Sequence, residues 1–211
     1  MTARTPAEEL VQVLRRSGVD RVYGVAAQAL EPIADAIWRT DGIEWTEVQD
    51  ERAGVVAAAD DAQASGGLAV CAGTYGAGSS RLLRGLRDAQ QRGEPVLALA
   101  AQMSSVRTGV APLREIHPER LFIECSHYCG IVSDASQLPQ LARAAMQHAL
   151  VRQGVSVLLL DPPTITRRPA ERPEPCRVRE GGIRIARQVV RTRGLPLQVA
   201  SAAHRHRHPH S

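Results

Sequence analysis

The 211-residue chain carries 26 basic residues against 22 acidic ones, every basic residue is arginine, and asparagine is absent as well. Without lysine there is no P-loop phosphate lysine and no Schiff-base chemistry, and without asparagine there is no N-glycosylation acceptor, although a GC-rich genome would produce the same bias. The net charge of +4 is uneven: residues 167–211 hold 11 Arg and three Glu, a net of +8, so residues 1–166 are mildly acidic and offer no basic face for nucleic acid.

The elements alternate along the chain. Thr5, Pro6 and Glu8 form a capping-box start, Leu10, Val13 and Leu14 form an apolar stripe, and Gly18 stops this first helix. Residues 21–24 (RVYG) read as a short buried strand, and 30–38 place Leu30, Ile33, Ala34 and Ile37 at helical spacing. Residues 43–48 read as a strand, 51–63 as an Ala-rich helix and 68–72 (LAVCA) as a buried strand. A loop from Gly76 enters a helix to residue 91, followed by strands at 96–100 (VLALA) and 128–133, a helix at 137–151 and a last buried strand at 155–160 (VSVLLL). After Asp161 the periodicity ends, and Pro162, Pro163, Pro169, Pro173 and Pro175 are read as breaking any further element.

Strands that are apolar throughout, each followed by a helix, predict an α/β fold: a doubly wound parallel sheet with helices on both faces. Sites in such sheets lie at the carboxyl ends of the strands, here residues 24–28, 49–52, 72–78 and 101–109. The expected division is one domain at 1–166 and an Arg/Pro/His-rich disordered tail at 167–211. No apolar run reaches the roughly 18 residues of a membrane span. The N-terminus lacks a signal-peptide core. A cytoplasmic protein is expected, with reduced thiols at Cys71, Cys125, Cys129 and Cys176.

Several motifs admit two readings. Gly73-Thr74-Tyr75-Gly76-Ala77-Gly78 follows a strand and opens a helix, which suits either a tight turn or an anion- or ring-binding turn, and Arg81 stands where a dinucleotide fingerprint needs its third glycine. Glu51, at a strand-to-helix junction, is a first-turn acid favoured by the helix dipole or a functional carboxylate. Cys125 and Cys129 flank His127 without the spacing of a zinc knuckle, so a buried, mutually close pair of thiols is expected and no metal site. The alternating His and Arg of residues 204–210 read as a solvated tail end.

Taken together, residues 21–37 (RVYGVAAQALEPIADAI), 48–53 (VQDERA), 69–78 (AVCAGTYGAG), 85–89 (GLRDA), 95–100 (PVLALA) and 115–129 (EIHPERLFIECSHYC) resemble the N-terminal pyrimidine-binding domain of thiamine-diphosphate enzymes. The last stretch is most similar to the pyruvate oxidase and ubiquinone-dependent pyruvate dehydrogenase branch. The resemblance spans residues 4–162 and implies the same doubly wound sheet. It implies that Glu51 is the catalytic acid that hydrogen-bonds the cofactor's aminopyrimidine, with its pKa raised by apolar burial. It further implies a cofactor surface of Ala26, Ala27, Glu51, Thr74, Gly76, Gly78 and Arg114. Here Ala26-Ala27 replaces a usual Pro-Gly, Asp50 replaces a histidine before the glutamate, and Arg114 replaces a glutamine. A second carboxylate at Asp50 is expected to alter the charge around Glu51, and Arg114 to bring a cation to the site.

The family resemblance implies that the flavin-binding middle domain and the domain that holds magnesium and the diphosphate would both have to come from elsewhere, since this sequence has no Gly-Asp-Gly and no asparagine. The expectation is therefore a thiamine-diphosphate half-site in a homodimer, or in a heteromer with a chain carrying the diphosphate-binding domain, inactive alone. The alternative expectation is a truncated, catalytically inactive remnant that serves at most as an interaction module.

Overall fold

A computed structural model describes residues 4–102 and 118–166. Seven helices and six strands alternate there: α1 (Pro6–Arg16), β1 (Arg21–Gly24), α2 (Glu31–Trp38), β2 (Glu44–Glu47), α3 (Glu51–Ser65), β3 (Ala69–Gly73), α4 (Ala77–Arg92), β4 (Val96–Ala101), α5 (Pro118–Ile123), β5 (Tyr128–Val132), α6 (Leu138–Arg152), β6 (Val155–Leu160) and α7 (Pro162–Thr166). The six strands form one sheet in the order β2-β1-β3-β4-β6-β5, and every pairing is parallel. This is the doubly wound α/β arrangement that the alternating pattern predicts.

Burial along the strands follows their place in the sheet. β3, β4 and β6 lie inside it and are buried at every residue. β2 and β5 form its edges and are partly exposed. Central parallel strands have both faces covered, which is why they read as unbroken apolar runs. On one face Leu10 and Leu14 of α1, Ile33 and Ile37 of α2 and Met146 of α6 pack on Val70, Leu97 and Leu158. On the other, Val55 and Ala59 of α3, Leu82 and Leu86 of α4 and Phe122 of α5 pack on Cys71, Ala98 and Leu159. A Cβ at Gly85 would come 2.8 Å from the Val55 Cβ, so this glycine lets α4 lie close against α3.

The capping box of α1 forms as expected: Glu8 N donates to Thr5 Oγ1 at 3.2 Å and Thr5 N donates to Glu8 Oε2 at 2.9 Å. Most element boundaries shift by a residue or two from the sequence reading. Two helices depart from it further. α5 has no counterpart in the sequence pattern. α7 forms where Pro162 and Pro163 were expected to break any element. Prolines in a first helical turn need no N–H partner. Thr164 N and Ile165 N both donate to Asp161 O, and Ile165 is buried in the core.

Candidate functional site

The strand order reverses direction between β1 and β3: β2 lies to one side of this pair and β4, β6 and β5 lie to the other. Ligands of open α/β sheets bind at the carboxyl ends of the strands beside such a reversal. Three segments converge there. They are the start of α3 after β2, the turn from β3 into α4, and the segment after β1. A Cβ at Gly54 of α3 would lie 3.5 Å from Tyr23 O, which places the opening of α3 against β1.

Glu51 is the first residue of α3 and only 2% exposed. Its carboxylate is held at both oxygens. Thr74 Oγ1 donates to Oε1 at 2.5 Å, and Arg81 Nε donates to Oε2 at 2.8 Å. Thr74 sits in the turn after β3, and its carbonyl accepts from Ser79 Oγ at 3.2 Å. Gly76 turns the chain into α4 with φ +72°, a left-handed value that a side chain would strain. Gly78, in the first turn of α4, faces the carboxylate directly. A Cβ there would come 2.1 Å from Thr74 Oγ1 and 2.2 Å from Glu51 Oε1. Glu51, Thr74 and Gly78, each expected from the sequence, are thus brought into contact.

The electrostatics differ from the expectation. Burial pushes the Glu51 carboxyl up, but the hydrogen bonds from Thr74 and Arg81, its own helix-start backbone and the charge of Arg81 together outweigh it. The net shift is below the ordinary glutamate value, not above it. The raised acid expected from apolar burial is therefore replaced by an arginine-paired carboxylate. Asp50 also plays a different part. It is the N-cap of α3, accepting from Ala53 N at 2.8 Å, and its charge acts on Arg81.

In the sequence Arg81 stands out only as the residue where a dinucleotide fingerprint needs a glycine. The signal that marks it is slight: a cation early in a helix whose first turn holds no acid runs against the helix dipole and calls for a partner from elsewhere. Ala26 and Ala27 line a cleft of about 330 Å³ with Trp38, Trp45, Glu31 and Glu47, and Glu51 does not line it. Arg114 lies outside the described residues, as do residues 103–109, Cys176 and 167–211 as a whole.

The thiols answer the remaining motif. Cys125 is buried and Cys129 half-buried. Burial pushes the Cys125 thiol up to about 11, Arg87 opposes that, and the neighbouring Cys129 adds to it.

Comparison with known proteins decides the family. Residues 4–121 match the N-terminal TPP binding domain of thiamine pyrophosphate enzymes. The chain belongs to this family. Its relatives include an uncharacterised 42.6 kDa protein of Pseudomonas amyloderamosa, 40% identical over 154 residues, which are 73% of this chain and 39% of that protein. A pyruvate oxidase of Lactiplantibacillus plantarum is 32% identical over 150 residues, 71% of this chain and 25% of that protein. The large subunit of acetolactate synthase isozyme 2 of Escherichia coli is 31% identical over 143 residues, 68% of this chain and 26% of that protein. The match to an oxidase and to a synthase is of similar strength, so the similarity defines the thiamine pyrophosphate family and not one branch of it. The chain spans about a quarter to two fifths of the length of these relatives. Among the described residues, no helix is long and apolar enough to cross a membrane.

Proposed function

We propose that this chain is the pyrimidine-binding module of a thiamine-diphosphate enzyme that decarboxylates a pyruvate-like 2-oxo acid in an oxidase or dehydrogenase reaction. One observation carries the reading. A carboxylate that is almost wholly buried, Glu51, stands at the sheet's reversal point with a glycine against it. The residues fit an aminopyrimidine ring. Glu51 offers a fixed acceptor: the bare Gly78 lets Thr74 hold Oε1 in place, and Oε2 faces the half-exposed Arg81. Bound thiamine diphosphate would supply the electron sink for cleaving the bond next to the keto group. Thr74 keeps the carboxylate from rotating, and only 2% of Glu51 is exposed to water. Glu51 would hold or exchange the proton at its ring-facing oxygen.

The diphosphate and magnesium would be held by a domain outside these 211 residues. A dimeric, cytoplasmic assembly is part of the proposal. The test uses the full chain and the isolated hydroxymethyl aminopyrimidine. Addition of the pyrimidine should shift the NMR signals of Glu51 and Gly78, and Glu51→Gln should abolish the response. No shift at either residue overturns the reading. In an assembly reconstituted with a diphosphate-binding domain, Glu51→Ala should lose on the order of 10²–10⁴ in rate, the usual worth of a positioned acid–base group.

The Arg81–Glu51 ion pair favours a second reading. A carboxylate kept ionised by an arginine is poorly placed to exchange a proton near neutral pH. In that reading the chain is a folded interaction module without catalytic activity, and the reconstituted assembly shows no rate that depends on Glu51.

A further inference from the structure

Arg81 and Thr74 hold the same carboxylate in unlike ways. Thr74 is half-buried at the end of β3 and tied into its turn through its own carbonyl. Arg81 reaches in from the surface, and its side chain is 49% exposed. Glu51 and Asp50 both act to keep the guanidinium charged, which offsets its unfavourable place near the start of α4. Arg81 lies outside both core clusters, so an outward swing into solvent need not unpack either of them. Thr74 and Glu51 cannot separate without disturbing the turn and the opening of α3. The two oxygens of Glu51 are therefore not equivalent. Oε1 has a fixed partner, and Oε2 has one that can leave.

We infer that Arg81 is a displaceable resident of the Glu51 site, occupying Oε2 in the free domain and giving way when a ring donor takes its place. This inference rests on the aminopyrimidine reading above. A ligand that bonds Oε2 must take the position of Arg81 Nε, so Arg81 competes with it and lowers its affinity. The competition is charge-assisted, and removal of one such hydrogen bond typically changes binding by roughly tenfold. Arg81 acts through Glu51 and is a positioning residue.

The experiment compares the full-length wild type with Arg81→Met, and with Arg84→Gln, an exposed arginine on the same helix, as a control. Two quantities are read: the titration of the Glu51 carboxyl by carbon NMR, and the dissociation constant for the hydroxymethyl aminopyrimidine. Arg81→Met should raise the titration point of Glu51 and tighten pyrimidine binding about tenfold. Arg84→Gln should move neither. Arg81→Gln, a milder change, should move both in the same directions and serves if the methionine variant folds poorly. An unmoved Glu51 titration overturns the inference. So does equal pyrimidine binding by wild type and Arg81→Met with loss of binding in Glu51→Gln, an outcome that leaves the pyrimidine site itself standing. Absence of pyrimidine binding in every form removes the aminopyrimidine reading, and the competitor role falls with it.

Discussion

The surface expected to meet the cofactor has two parts that are built differently. At the β3–α4 turn, Thr74 and Arg81 grip Glu51 through hydrogen bonds of 2.5 and 2.8 Å, and Gly78 presses against the carboxylate. After β1, Ala26 and Ala27 line an open cleft of about 330 Å³ beside Trp38 and Trp45. The first part is a constellation whose members fix one another, so a small change in any of them is felt by all. The second offers shape and aromatic surface, and its residues can vary without disturbing a bonded network. Preorganisation of the first kind is what holds a functional group in place for chemistry. The difference predicts that ligand binding is sensitive to single atoms at one end and tolerant at the other.

The largest effect is expected at Gly78. Adding one methyl group drives a Cβ into Thr74 Oγ1 and Glu51 Oε1, both already bonded to each other. The carboxylate has to shift by about an ångström, and a misplacement of that size costs on the order of 100-fold in function. Stability should fall much less. The gain in helix propensity, about 1 kcal/mol for Gly→Ala, offsets part of the strain. Pyrimidine binding and urea denaturation measured on Gly78→Ala check the two halves of this expectation. Tight binding by the variant would mean that the exact position of the Glu51 carboxylate does not matter for recognition.

Gly24 offers the matching change at the other end. A Cβ there would lie 2.2 Å from the Trp45 ring, so Gly24→Ala pushes the indole toward the cleft. Overpacking of this kind typically costs about 1–3 kcal/mol. The expected result is lower urea stability and a changed tryptophan fluorescence, with the Glu51 titration unmoved. A shifted Glu51 titration would show that the two parts are coupled.

What could be read in the sequence follows from how local the cause is. The capping box at Thr5 and Glu8, the buried runs of β3, β4 and β6 and the amphipathic face of α1 depend on neighbours in sequence, and the structure contains all of them. Helix α7 escapes a sequence reading because Pro162 and Pro163 look like breakers, although the first turn of a helix tolerates prolines. The position of Glu51 at a strand-to-helix junction was legible, and so was the glycine turn. Its charge state was not. That depends on Arg81, 30 residues away, reaching Oε2 from another helix. No spacing rule connects residues 51 and 81, so burial alone gave the wrong direction for the carboxyl.

The pH dependence of stability sharpens that correction. The folded chain holds Glu51 below its ordinary value of 4.5, so the ionised form favours folding. That contribution is complete above the unfolded value and is lost as pH falls through the lower folded one. Glu51→Gln should therefore be less stable than wild type at neutral pH, by about 1 kcal/mol after allowance for solvent screening at the half-exposed Arg81. The difference should vanish on acidification well below the ordinary glutamate range. Urea titrations of both proteins across this range give the comparison. A gap that widens in acid would mean that Glu51 is a raised acid after all.

The smallest effect belongs to Trp38, 71% exposed at the end of α2 and part of the cleft wall. Its ring has little apolar area to lose on truncation, and surface changes of this kind stay within about 0.5 kcal/mol. Trp38→Ala should leave both the denaturation midpoint and pyrimidine affinity almost unchanged. The measurement is informative because the alternative is specific. If the cleft were the ring-binding surface, an exposed tryptophan on its wall would be a stacking platform, and its removal would weaken binding by the roughly 0.5–1.5 kcal/mol that an aromatic pair contributes. A loss of that size with an unmoved Glu51 titration would transfer recognition from the bonded constellation to the cleft, and the contrast between the two parts would have to be drawn the other way.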